Sequence, residues 1–288
     1  MRYPVISLED LHSFDVLLDK CIAAFPKDHQ KGKVEYLHPS YLAPILYLQN
    51  ARLLLHRQNL SQMAPPELRT NAINQCALIA RETSHVMARC MQDPGNQYPN
   101  HRGTWKPILS RAASAFLCTH LWRCTLFLIF TADYTTASIC ARASATIGSA
   151  RLINNACGRH LDFFLHALSA KSTASLAPDL MNDEEMIAYV SGDLQGSATQ
   201  SWVWHGASAE SAVSPSPLRY PLDSPNEGYS LVETPKHAPE ALPAWTGWNR
   251  ILDTLTRLAG KEAQNPVRAS TQGPGLHTPG RISIADIM

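Results

Sequence analysis

Residues 48–61 read "LQNARLLLHRQNLS". The run is greasy enough to be buried, yet it carries Gln49, Arg52, His56 and Arg57 through its middle. The role of those four side chains decides the fold and bears on the function. At about 100° per residue, Gln49, Arg52 and His56 fall in one narrow stripe, and Asn50 and Arg57 share a second. Ile45, Leu46, Leu48, Ala51, Leu53, Leu54 and Leu55 take nearly all the rest of the circumference. A helix that is apolar almost all round is surrounded by other helices. Its polar stripes must then reach water at an edge or find partners inside, because an unpaired buried polar group is costly. Catalysis would require these side chains to converge with a nucleophile or a second acid–base group in a cleft. The sequence displays no such companion, so the expected role is to pin helices together.

Working outward, the pattern predicts helices over residues 8–25, 41–59 with Ser40 as N-cap, 67–91, 108–131 and 136–168. The second proline of "MAPPEL" is placed to start the third of these. A short helix follows from near Asp183, and "WTGWNRILDTLTRLAG" is one more amphipathic helix. Along residues 67–91, Ile73, Cys76, Ala77, Ala80, Ser84, Met87, Ala88 and Met91 share a stripe of mostly small residues. Such a stripe lets a neighbouring helix approach to the short end of about 8–10 Å between axes. Ala137, Cys140, Ala141, Ser144, Ile147 and Gly148 repeat the pattern further on. Arg81 and Glu82 lie off the first stripe and are available for ion pairs. The fold class is therefore all-α, a multi-helix array. The expected organisation is a helical body over 1–205, a mobile Pro/Ser-rich linker over 206–244, a helix over 245–262 docked on the body, and a disordered tail over 263–288. Seven prolines lie between Pro215 and Pro243, too little apolar material to offset the entropy of ordering.

Composition narrows the function. Across 288 residues the charged fraction is 17% and the formal charge is +1, which leaves no electrostatic footprint for nucleic acid or acidic lipid. The seven cysteines form no C-x-x-C pair and most have apolar neighbours, as expected of a chain kept reduced in cytosol or nucleus. "AFLCTHLWRCTLFLIF" over Ala115–Phe130 is too short to span a bilayer and reads as a buried helix. No membrane association is expected, and the N-terminus lacks the apolar core of a signal peptide.

The chemistry-bearing motifs are weak. Cys118, His120 and Cys124 lie close in "CTHLWRC", but their helical phases diverge, and His160 and His166 point to different faces. No metal ligand set, phosphate-binding glycine loop or nucleophile elbow is expected. Asp183, Glu184 and Glu185 fan out around a helix; they suit a helix N-terminus better than a magnesium site. Asn59-Leu60-Ser61 formally matches a glycosylation acceptor but would need a secretory route. Trp202, Trp204, Trp245 and Trp248 bracket the proline-rich segment, as anchors that dock the last helix or as partner-binding aromatics.

Several segments arrive in a recognisable order: "LYLQNARLLLHRQNLS", "CALIARETSHVMARCM", "LWRCTLFLIFTADYTTASICARASATIG", and "AYVSGDLQG" followed by "SWVWHG". Together, over roughly residues 40–260, they resemble the regulatory middle region of fungal zinc binuclear cluster transcription factors of the xylanolytic-activator type. The resemblance implies a nuclear protein that regulates transcription by RNA polymerase II. Its work would be protein contact or self-association, or response to a small-molecule inducer. The family's DNA-contacting cluster of six cysteines and two zinc ions has no counterpart here, where the first 75 residues hold one cysteine, Cys21. The expectation is therefore a chain lacking that cluster and the first part of the helical domain, with no zinc, no other cofactor, no catalytic residue and no nucleic-acid contact of its own. Arg52, His56, Arg57, Arg81, Glu82, Arg123 and Asp193 are the candidate regulatory or structural polar residues. Two other readings stay open: an all-α enzyme or small-molecule binder with a pocket between helices, and an inactive fragment.

Overall fold

Ser7 opens the first helix, its hydroxyl accepting from the Asp10 amide, and Pro66 opens the third at a position where the missing N–H costs nothing. From such local signals follow nine α-helices among the residues that a computed structural model describes: 5–27, 33–61, 63–92, 105–174, 180–191 and 245–264. They are α1 Leu8–Ala23, α2 Leu42–Arg57, α3 Pro66–Cys90, α4 Trp105–Ala112, α5 Ala115–Phe130, α6 Tyr134–Ile147, α7 Leu152–Ala174, α8 Glu184–Ser191 and α9 Trp248–Gln264. No strand occurs among the described residues, and the chain is all-α there. Asp193, Trp202, Trp204, the expected linker over 206–244 and the tail beyond Gln264 lie outside them.

The centre of the body is α5, buried on every side over 124–130 and packed against α3, α6, α7 and α8. On its far side α3 meets α2, and α2 in turn carries α1. The small stripe of α3 lies inside: Cys76, Ala77, Ala80 and Ser84 are all buried, and the Ser84 hydroxyl donates to the Thr136 carbonyl of α6. No single described helix is long and apolar enough to cross a membrane.

Three local expectations are corrected. The helix read over 108–131 is two helices, α4 and α5, meeting at 106°. Ser114 makes the break, its hydroxyl accepting from the Leu117 amide as the cap of α5. The helix read over 136–168 is also two. Gly148, at φ 52° and ψ −135°, ends α6 in a conformation that L side chains rarely adopt. The buried Asn154 amide donates to the carbonyls of Ser144 and Gly148, both at 2.9 Å, and so satisfies acceptors left at that end. One side chain joins the two breaks: Arg151 Nε donates to the Ala113 carbonyl at 2.6 Å. Finally, α2 starts through a short 3₁₀ turn over Pro39–Tyr41, capped by the His38 ring instead of by Ser40.

α9 lies against α6 and α7. Trp248 is buried, and Trp245 meets it edge to face at 5.3 Å between ring centroids. The Trp245 indole sits directly over Gly158 of α7, where a Cβ would come within 2.2 Å of the ring. Gly158→Ala must therefore expel the indole. The expected loss is about 1–3 kcal/mol in urea unfolding, with a red shift of tryptophan emission as Trp245 enters water.

Candidate functional site

The polar residues of α2 do not face one another; they face three neighbouring helices. Arg52 Nε donates to Asp15 Oδ1 of α1 at 3.1 Å, and Arg52 Nη1 donates to Glu82 Oε2 of α3 at 3.1 Å. Gln49 Nε2 donates to the same Glu82 oxygen at 2.9 Å, and His56 Nε2 donates to Asp15 Oδ2 at 2.9 Å. That pairing places the ring hydrogen on Nε2. The Arg52 side chain is 6% exposed, while Asp15 and Glu82 keep 19% and 24%, so the cation is inside and its two anions reach the edge. On the other side of α2, Asn50 Oδ1 accepts from Arg123 Nη1 of α5 at 3.1 Å.

The remaining candidates divide between helices. Arg81 and Glu82 are adjacent but serve different neighbours. Arg81 Nε donates at 2.7 Å to Asp133, whose other carboxylate oxygen caps α6 by accepting from the Thr136 amide. Burial works to raise the Asp133 pKa, but the Thr136 and Arg81 hydrogen bonds outweigh it and hold the carboxyl below its ordinary value. Arg57, half-buried at the end of α2, sends its field toward Cys76 of α3. Burial presses the Arg123 guanidinium below its ordinary pKa, against the pull of Cys157 and Cys124.

Two participants carry no mark of their structural role in the sequence. Asp15 sits on a helix whose outward face is largely exposed, 37 positions before Arg52, and no spacing rule links them. Asn59, formally a glycosylation acceptor, is fully buried; its amide accepts from the Ile6 N–H at 2.9 Å and donates to the Ile6 carbonyl at 2.8 Å. The acidic turn at 183–185 acts as a helix start: Asp183 accepts from the Glu185 and Met186 amides and pairs with Lys171.

A carboxylate-oriented histidine is half of a familiar acid–base arrangement, which also needs the second ring nitrogen within reach of a reacting proton. His56 is 2% exposed, and its Nδ1 is buried with no hydrogen-bond partner. In this state the network ties helices together. Among the described residues no group of three or more His, Cys, Asp or Glu side chains is placed to hold a metal ion. Two surface concavities lie elsewhere. One, of about 420 Å³, is lined by Lys106 and Arg142; the other, of about 470 Å³ between α7 and α9, is lined by His166, Arg250, Asp253 and Arg257.

A second buried cluster joins α3 to α5. Thr83 Oγ1 and His120 Nε2 are 3.0 Å apart, with Cys124 Sγ at 3.6 Å from the same nitrogen. Burial, helped by the Arg123 charge, presses the His120 pKa down to about 3, and burial pushes the Cys124 thiol up to about 12. Both are neutral packing groups at neutral pH.

Two outcomes follow. Replacing Arg52 by Met leaves Asp15 and Glu82 facing each other without their cation. It should cost roughly 2–4 kcal/mol in urea unfolding, and adding Asp15→Asn with Glu82→Gln should recover more than half of that loss. His120 gives a pH signature. Unfolded, it gains a proton near pH 6.5; folded, only near 3. Its contribution is whole above 6.5 and declines as pH falls toward 3, by up to about 1.4 kcal/mol per unit. Urea midpoints between pH 7.5 and about 4.5 should fall accordingly, and more gently in His120→Gln.

Comparison with protein-family models, with curated protein sequences and with solved structures finds no match.

Proposed function

We propose that this chain is the regulatory, non-DNA-contacting region of a transcription regulator. It acts in the nucleus on transcription by RNA polymerase II, through protein contact, self-association or response to a small inducer. One observation carries the reading. Three of the ordered segments that resemble zinc cluster regulators fall on α2, on α3, and on α5 with α6, and these helices pack on one another as a single body. Their distinctive polar residues are spent between helices: Arg52 and Gln49 on Glu82, Arg81 on Asp133, Arg123 on Asn50. A body joined in this way can transmit an input by shifting between helix packings, provided a ligand or partner binds one packing better than the other. The formal charge of +1 supports leaving DNA contact to another module.

The test fuses the whole chain to a heterologous DNA-binding domain in a fungal reporter strain. The expected result is a severalfold change in reporter output against the DNA-binding domain alone, altered again by Arg52→Met. A reporter that stays flat while the fusion accumulates normally in the nucleus overturns the proposal.

A further inference from the structure

The Asp15 carboxylate is held as a separate ligand would be. Its two oxygens each take one N–H, from Arg52 Nε at 3.1 Å and His56 Nε2 at 2.9 Å, donors one turn apart on α2. Convergent charge-assisted donation to both oxygens is the usual way a protein grips a carboxylate. The donors belong to the body of the fold. Arg52 and His56 are buried, and Arg52 is also braced by Glu82, which is braced in turn by Gln49. The recess is thus assembled from α2 and α3.

The acceptor belongs to the helix least committed to the body. Only Leu11 and Ile22 of the 16 residues of α1 are buried, against eight in α2. Leu8, Phe14 and Leu17 are 51%, 46% and 56% exposed. Elements with few buried apolar contacts open at lower cost than the global fold. The recess also has unmet demand. Gln49, whose amide nitrogen shares Glu82 Oε2 with Arg52, keeps a buried Oε1 acceptor without a hydrogen-bond partner. Asp15 supplies no donor to it.

We propose that Arg52 and His56 form a binding recess for a small organic acid carrying a hydroxyl or amino donor, filled in this structure by Asp15 as a tethered internal ligand, with α1 as the lid. Tethering gives Asp15 an effective concentration in the millimolar range, so a competing acid must add contacts of its own. Gln49 Oε1 offers such a contact. The proposal does not rest on the transcriptional reading, since a flat reporter leaves the following measurement unaffected.

The test is recovery of Asp15→Ala by added carboxylate. The variant is melted in acetate, in glycolate (hydroxyacetate) and in chloride at matched pH and ionic strength. Acetate should raise its melting temperature by about 2–4 °C over chloride near saturation, and glycolate by at least as much. The unaltered chain and Asp15→Ala/Arg52→Met should show no such gain. Equal melting of Asp15→Ala in all three salts, or an equal gain in the double variant, overturns the recess; acetate outperforming glycolate overturns the donor-bearing ligand. Should Asp15→Ala not fold, amide exchange of the unaltered chain decides. Glycolate at up to about 0.5 M, well above the effective concentration of the tether, should speed exchange over residues 8–23 relative to chloride. Identical exchange in the two salts overturns the proposal.

Discussion

A guanidinium buried between two carboxylates is the interaction on which the rest of the arrangement depends. α2 is apolar around most of its circumference, so burial alone leaves its rotation about its own axis nearly undetermined. Arg52 removes that freedom. With one nitrogen on Asp15 of α1 and another on Glu82 of α3, it admits only one rotation of α2 and holds three helices at once. On the opposite side, Asn50 with Arg123 sets the same rotation against α5. A buried ion pair adds little net stability against a well-packed apolar alternative, because both charges must leave water. Here the anions remain at the edge and only the cation is deeply buried, which lessens that cost while keeping the geometric demand. The network's contribution is thus better described as selecting one packing than as adding stability.

Around that strut the core is built for close approach. α3 and α6 present alanine, serine and cysteine to each other and to α5, and the larger Phe127, Phe130 and Phe164 fill the space beside them. The cysteines in this interior behave as small apolar residues. Burial raises the thiols of Cys90 and Cys157 to about 12 and that of Cys118 to about 11, which leaves them protonated and unreactive at neutral pH. His120 follows the same logic with the opposite sign, its charged form suppressed by the same dry surroundings.

Much of this was legible from the residues alone. Apolar periodicity located the helices, Pro66 and Asp183 marked helix starts, and the apolar run of α5 announced its burial in the core. Both joints were missed for one physical reason: helical periodicity continues across a break when the flanking helices face the same core. Ser114 and Gly148 were the available clues. Each is an ordinary helix residue unless a cap or a positive φ is assigned to it, and that assignment depends on tertiary contacts such as Arg151 to Ala113. Within the polar network, the donors on α2 could be read as stripes, but their acceptors could not. Asp15 and Glu82 become partners only when three helices meet, and nothing in either local sequence separates them from ordinary surface acids.

The same geometry distributes strength unevenly. α2, α3 and α5 share their buried surface with several neighbours, whereas α1 adds two buried side chains, the Asn59 clamp on the Ile6 backbone, and one carboxylate. Those polar ties are satisfied by water when α1 leaves, so its departure forfeits little hydrophobic burial. It does change the electrostatics of the interior, because Arg52 keeps Glu82 but loses Asp15, and His56 loses the carboxylate on its Nε2. The fold thus couples the position of a weakly buried helix to the electrostatics of a deeply buried cation. Any agent that compensates Arg52 and His56 in place of Asp15 shifts the balance toward the open state by its own binding free energy, and an agent indifferent to those two side chains does not.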